Sequence, residues 1–312
     1  MRICAFKSLW GLVSADGGTR SLAQVLPALR EQGYRGVECS VKLAAVLDIN
    51  GEFRQLMREH SLQWVPVVFS SGPLWRGWSP FLPGMPTATH CNSPSSHAAA
   101  LAGQLESAQR FGLQVPFVTA HTGHDSMSDG AALETFGLVE QAAECSAGVP
   151  LVHETHRGRA AGNLWQLCRL LPSLPPSLHL AGDYSHFTAA CEVAASERDG
   201  TLEAALGVLA PRVRHLHARV GNECSPQVHD PRGAHAAREV SAFDAWWRAT
   251  WDAQRAAGCT ETFFTPEYGP PPYAAAHPET GRALVDVHAI NDWTAEHVRR
   301  TFDAWSRSKT KD

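Results

Sequence analysis

The chain has no Cys-x-x-Cys pair. Its eight cysteines, at 4, 39, 91, 145, 168, 191, 224 and 259, stand singly, which excludes a zinc ribbon or a thioredoxin-like centre and fits reduced thiols. It also has no basic block. Lysine and arginine are mixed with aspartate and glutamate throughout, for a formal charge of -4 and a pI near 6.5, so neither a nucleic-acid groove nor an anionic membrane surface is expected. No apolar run approaches the roughly 18 residues of a membrane span, and the first run carries Lys7 where a signal peptide would have its apolar core. The expectation is a soluble, cytoplasmic protein that handles a small molecule. No Gly-x-Gly-x-x-Gly turn follows the first apolar run, which argues against a dinucleotide-binding sheet.

What is present, 44% hydrophobic and 19% charged residues, is ordinary globular composition at a length that readily buries a core. Apolar runs at 2–10, 34–39, 63–69, 115–121, 149–154, 178–183, 213–218 and 262–267 read as strands. They alternate with helical stretches at 21–32, 52–60, 95–111, 130–147, 163–171, 202–209, 243–257 and 294–306. Without a linker or a break in composition, this alternation predicts one α/β domain over residues 1–312, a (β/α)8 TIM barrel. Long polar loops follow strand three (70–96) and strand seven (221–239), and both are expected to lie over the strand ends. The tryptophans at 246, 247 and 251 fall on one helix about a turn apart and are assigned to packing.

Four predicted strands end in cation-binding side chains: Glu154, Asp183 (with His186 three residues on), His217 and Glu267. Their separations of 29, 34 and 50 residues are each about one β-α unit, and in a barrel the carboxyl ends of all strands share one face. Two or three carboxylates with an imidazole suit one divalent ion, Mn²⁺, Mg²⁺, Co²⁺ or Zn²⁺, with positions left for substrate oxygens. His215 shares a strand face with His217 because the period is two, so it is the alternative ligand, with His217 preferred. Glu38 and His121, ending strands two and four, are placed as pocket-lining residues. Arg219 is read as orienting substrate oxygens or as a surface ion-pair partner. Trp10, Trp75 and Trp78 would offer an apolar wall to a small molecule, the latter two alternatively a contact in a homodimer.

In four places the sequence resembles the xylose isomerase-like barrels, a group that includes tagatose/psicose 3-epimerases, hydroxypyruvate isomerase, inosose dehydratase and endonuclease IV. The places are Val-His-Glu-Thr-His around Glu154, Asp183-Tyr-Ser-His186, His-Leu-His at 215–217, and Thr-Pro-Glu-Tyr-Gly around Glu267. The resemblance implies a metal, manganese among the candidates, held by Glu154, Asp183, His217 and Glu267, with His186 facing substrate. It further implies an isomerase or epimerase of carbohydrate metabolism, acting on a small sugar, polyol or keto-acid. In such an enzyme Glu154 and Glu267 would move a proton on and off carbon through a metal-stabilised enediolate. A dehydratase of a keto-polyol, inosose dehydratase-like, would use the same residues. An endonuclease IV-like phosphodiesterase fits worse: Arg232 stands where an Asp-x-His pair beginning at Asp230 needs histidine, and strand three ends in Ser70-Ser71. Gly269-Pro-Pro-Pro is not a phosphate-binding turn, which favours an unphosphorylated substrate.

Overall fold

The computed structural model describes residues 1–70, 93–146, 148–194 and 200–309. Trp75, Trp78 and most of the loop predicted after the third strand lie outside the described residues. The strands are β1 (Arg2–Ser8), β2 (Tyr34–Ser40), β3 (Gln63–Phe69), β4 (Val118–His121), β5 (Leu151–Glu154), β6 (His179–Gly182), β7 (Val213–Ala218) and β8 (Glu261–Pro266). Each pairs in parallel with the next, and β8 pairs with β1 from Arg2↔Glu261 to Ala5↔Phe264. The result is the closed (β/α)8 barrel that the alternation of runs predicts.

Helices pack on the outside: α1 (Leu22–Val25), α2 (Val41–Leu47), α3 (Glu52–Glu59), α4 (Pro94–Gln109), α5 (Asp129–Ser146), α6 (Leu164–Leu170), α7 (Tyr184–Ala190), α8 (Thr201–Leu209), α9 (Ala237–Ala256) and α10 (Val287–Ser308). The helix predicted over 21–32 stops as α1 and tightens to a 3-10 turn at Leu26–Ala28, because Pro27 has no N–H to donate and its ring crowds the turn before it. Conversely α10 starts seven residues before the predicted 294, where the Asp286 side chain accepts from the N–H groups of His288 and Ala289, an N-cap that the search for periodicity passes over. The α9 tryptophans are buried as expected, Trp251 lying edge-on to Phe302 of α10 at 5.1 Å. Among the described residues no helix is long and apolar enough to cross a membrane.

The pleat decides what enters the barrel. One residue from each of six strands or strand approaches, Phe6, Val65, Phe117, Val152, Ala181 and Phe263, forms a small core separate from the main one. Phe117 meets Phe6 edge-on at 6.0 Å and Phe263 at 5.1 Å, which fills the barrel floor with rings. A step of two along each strand keeps the side chain inside while moving it toward the carboxyl end. Phe117 is thus followed inward by Thr119 and His121, Val152 by Glu154, Ala181 by Asp183, and Phe263 by Thr265 and Glu267. On β7 the same step runs His215, His217, Arg219. An apolar floor below and ionisable side chains above are therefore written in one period. Phe117→Ala should lower the unfolding free energy by about 3–5 kcal/mol, measured by urea denaturation; a loss below about 1 kcal/mol would mean that the floor is not a packed layer.

Candidate metal centre

Glu154 and His217 are carried on β5 and β7, while Asp183 and Glu267 are the first residues beyond β6 and β8. One ligand atom from each of the four lies within 4.8 Å of the other three. His217 Nδ1 is 3.5 Å from Glu154 Oε1 and 3.3 Å from Glu267 Oε2, yet it is buried and no hydrogen bond satisfies it. Donor atoms about 2.1 Å from a common ion stand roughly 3.0–3.4 Å from one another. The spacing therefore suits atoms gathered around a shared cation better than atoms paired directly. Three carboxyl groups beside one imidazole are also a donor set that suits a divalent ion. The residues present fit a metal.

Glu38 explains which imidazole nitrogen is available. Its Oε1 accepts from the Thr119 hydroxyl at 2.7 Å and faces His217 Nε2 at 3.1 Å. Burial alone would raise this carboxyl, but His217 and His215 beside it hold it down at about 2, so it stays ionised. With Nε2–H committed to Glu38, the His217 ring turns Nδ1 toward the carboxylates, an arrangement that orients metal-binding histidines generally. Burial opposes a charge on His217, and Glu267, Glu38 and Glu154 overcome it, lifting its pKa well above the usual histidine value; a metal would have to displace that proton. His215 sits one layer deeper, with Nε2 3.0 Å from the Thr265 hydroxyl and its ring 4.9 Å from Phe117. It falls in a different cluster, with Glu38 and His217, and not among the four.

Asp183 has a second duty. Its Oδ1 accepts from the Ser185 N–H at 3.0 Å and from the Ser185 hydroxyl, capping α7. Its Oδ2 meets the Arg219 guanidinium. Arg219 is no surface residue: it is 1% exposed, and Nη2 also lies 3.5 Å from Glu267 Oε2 and donates to His186 Nε2 at 2.8 Å. Burial disfavours its charge, but Asp183 and Glu267 raise its pKa above the usual arginine value. His186, on the first turn of α7, is held neutral by burial together with His156 and Arg219. Because Nε2 accepts, the proton sits on Nδ1, which is buried with no partner.

His121 stacks on Phe69 at 4.5 Å and places Nε2 2.8 Å from Glu154 Oε2. Burial pushes Glu154 up, and His121 and His217 reverse this to hold it well below the carboxylate norm; burial pushes Glu267 up to about 8 against His217 and Arg219. Trp10 is half-buried and lies edge-on to Tyr273 at 5.1 Å. Gly269 makes that seat possible, since a Cβ there would fall 2.2 Å from the indole. The Gly269 N–H donates to Gln227 Oε1 at 2.8 Å. Asp230 is clamped by its own neighbour Arg232 at 2.6 and 2.8 Å.

Two residues at the site escaped the sequence reading. His156 packs its ring 3.8 Å from His186 and 4.9 Å from His121, and its place in Val-His-Glu-Thr-His two residues past Glu154 was a usable signal. Tyr273 contacts His156 Nε2 at 3.3 Å and lies under the Arg219 guanidinium at 5.0 Å; it follows three prolines, where no period can be read.

The closed (β/α)8 fold is shared, at low sequence identity, with several solved structures. The chain is similar to the solved structure of an IOLI protein with a bound zinc atom (13% identity, TM-score 0.56, 98% of each chain covered). It is also similar to a D-psicose 3-epimerase from Clostridium cellulolyticum H10 with D-tagatose (11%, 0.53, 96% of this chain and 97% of that one). A third is the probable 3-DHS dehydratase AsbF of Bacillus anthracis (13%, 0.54, 86% and 93%). No protein-family model and no curated protein sequence matches the chain.

Glu38→Gln should weaken Zn²⁺ binding about tenfold to a hundredfold in a calorimetric titration. Unchanged affinity would remove Glu38 from its supporting role.

Proposed function

We propose that the protein is a divalent-metal-dependent isomerase or epimerase of a small sugar, polyol or keto-acid. The observation that carries this reading is the convergence of Glu154, Asp183, His217 and Glu267 to within 4.8 Å at the carboxyl end of the barrel. Those four would hold the ion. It would supply Lewis acidity toward a carbonyl and a neighbouring hydroxyl oxygen.

The chain's own side chains divide the remaining work. Glu154 and Glu267 project from different strands, so one can remove a proton from the carbon beside the carbonyl and the other return it. Return to the opposite face of the same carbon is epimerisation, and return to the next carbon is isomerisation. His186 would donate its Nδ1–H to a substrate hydroxyl, since Nε2 already accepts from Arg219. Tyr273 and Trp10, edge to face at 5.1 Å, would cover the C–H side of the substrate and keep water from the carbanion. His121 acts on Glu154 at 2.8 Å, which makes it a positioning residue for that carboxylate.

A lyase reading draws on the same residues and gains from the likeness to a probable 3-DHS dehydratase. The two part at the second step: a lyase expels a β-hydroxyl where an epimerase reprotonates.

A panel of ketoses and keto-polyols incubated in D₂O with the Mn²⁺-loaded protein tests both. The expected outcome is deuterium at the carbon beside the carbonyl, activity lost on EDTA treatment and restored by Mn²⁺, and turnover lowered at least about a thousandfold in Glu154→Gln with the far-ultraviolet circular dichroism unchanged. Release of water would shift the assignment to the lyase. Wild-type turnover in Glu154→Gln, or full activity in EDTA, would overturn the mechanism.

A further inference from the structure

Two buried pairs stand back to back across β4 and β5. On the inner side His121 Nε2 lies 2.8 Å from Glu154 Oε2. On the outer side are the residue after His121 and the residue before Glu154: the Thr122 hydroxyl lies 2.7 Å from His153 Nδ1. The other ring nitrogen of His153, Nε2, lies 2.7 Å from Glu140 Oε1 of α5. The register pairs between the two strands run from Val118↔Leu151 to Ala120↔His153, one step short of the inner pair. Past that step, the Thr122–His153 bond spans the same two strands.

The bonds of the outer group have a direction. A carboxylate only accepts, so His153 Nε2 carries a proton. In the neutral ring Nδ1 is then the acceptor for the Thr122 O–H, and carboxylate, imidazole and hydroxyl form one chain. Thr122 is 1% exposed and His153 0%, and Phe136 of α5 meets the His153 ring edge-on at 5.0 Å, which keeps the imidazole from turning away. The order of groups is that of an activated nucleophile, but a hydroxyl buried on the outer side of the strands meets no substrate. What the chain can act on is the backbone it holds. Thr122 follows His121 directly, and its carbonyl accepts from the Ala160 N–H at 3.0 Å, in the segment that follows β5 and carries His156.

We propose that Glu140, His153 and Thr122 are positioning residues for Glu154. The outer chain of hydrogen bonds sets where His121 stands, and His121 sets the aim of Glu154 Oε2. The inference deepens the function proposed above and rests on that reading for the effect on turnover alone. The competing account is that the outer chain only strengthens the barrel wall, so that its loss lowers stability and leaves the inner pair as it was.

The full chain, labelled with ¹⁵N-histidine and stripped with EDTA, decides between them by nuclear magnetic resonance, with each ring assigned through its own backbone. His153 is expected with a proton on Nε2 and a lone pair on Nδ1. Thr122→Val keeps the branched shape and removes the hydroxyl, and it should displace the His121 Nε2 signal, as should Glu140→Ala. Thr122→Ser, which retains the hydroxyl, should leave that signal at its wild-type position. The Glu140 side chain is 22% exposed, so Glu140→Ala keeps the test open if Thr122→Val fails to fold. In the D₂O assay above, Thr122→Val should lower kcat about tenfold to a hundredfold with KM unchanged, and Thr122→Ser should match the wild type. A His121 signal that stays in place in Thr122→Val and Glu140→Ala, or wild-type kcat in both, would overturn the positioning role whatever happens to the melting temperature. His153 with its only proton on Nδ1 would break the chain at Glu140 and overturn it too. A wild type that exchanges no deuterium would overturn the proposed function, and the nitrogen signals, read without metal or substrate, would still decide this inference.

Discussion

Closure of β8 on β1 is the constraint on which everything at the mouth of the barrel depends. The pairs running from Arg2↔Glu261 to Ala5↔Phe264 leave no sheet edge, and closure with parallel strands forces all carboxyl ends to one side. Inside such a ring the alternation of side chains cannot slip. A shift of one residue on β5 would exchange Glu154 for His153, which the structure puts outside the barrel, against Glu140 of α5 at 2.7 Å. Register and chemistry are thus one requirement.

The charges that accumulate at the mouth are balanced in depth. Glu38, 2% exposed, faces His217; His217 faces Glu154 and Glu267; Arg219 joins Glu267 to Asp183. Acid and base alternate from the Thr119 hydroxyl upward, so each buried ion has an opposite neighbour. The floor of Phe6, Phe117 and Phe263 beneath them excludes water from below, which strengthens each of these interactions. Asp183 links this network to the main chain, because the oxygen that caps α7 and the oxygen that meets Arg219 belong to one carboxylate.

The barrel and most of the rim were legible because both follow from period. Eight apolar runs gave the strands, and the carboxyl ends of four of them, about one β-α unit apart, gave Glu154, Asp183, His217 and Glu267. Arg219 was left open between a substrate-orienting residue and a surface ion-pair partner, since its buried partners across the barrel, Asp183 and Glu267, leave no mark on local sequence. Glu38 was legible as a residue of the pocket, but its contact with His217, 179 residues away, belongs to tertiary structure. Tyr273 and the first turns of α10 were missed for a different reason: the segment before them is rich in proline and glycine, and irregular backbone carries no repeat to detect. Short helices such as α7 are hidden in the same way, because α7 is buried on every side from Tyr184 to Thr188 and shows no polar face.

Arg219 gives the site an unusual economy of ions. It is a cation fastened to the same chain as the carboxylates it faces, so its local concentration is fixed by geometry and does not fall when the surroundings are poor in metal. The candidate ligands therefore carry a resident counter-ion at all times, and their mutual repulsion never has to be met by folding alone. In the metal centre proposed above, an incoming divalent ion would compete with the guanidinium for Asp183 and Glu267, a contest that would favour small, doubly charged ions over sodium or potassium. Selectivity of this kind would be set by a side chain that binds no metal.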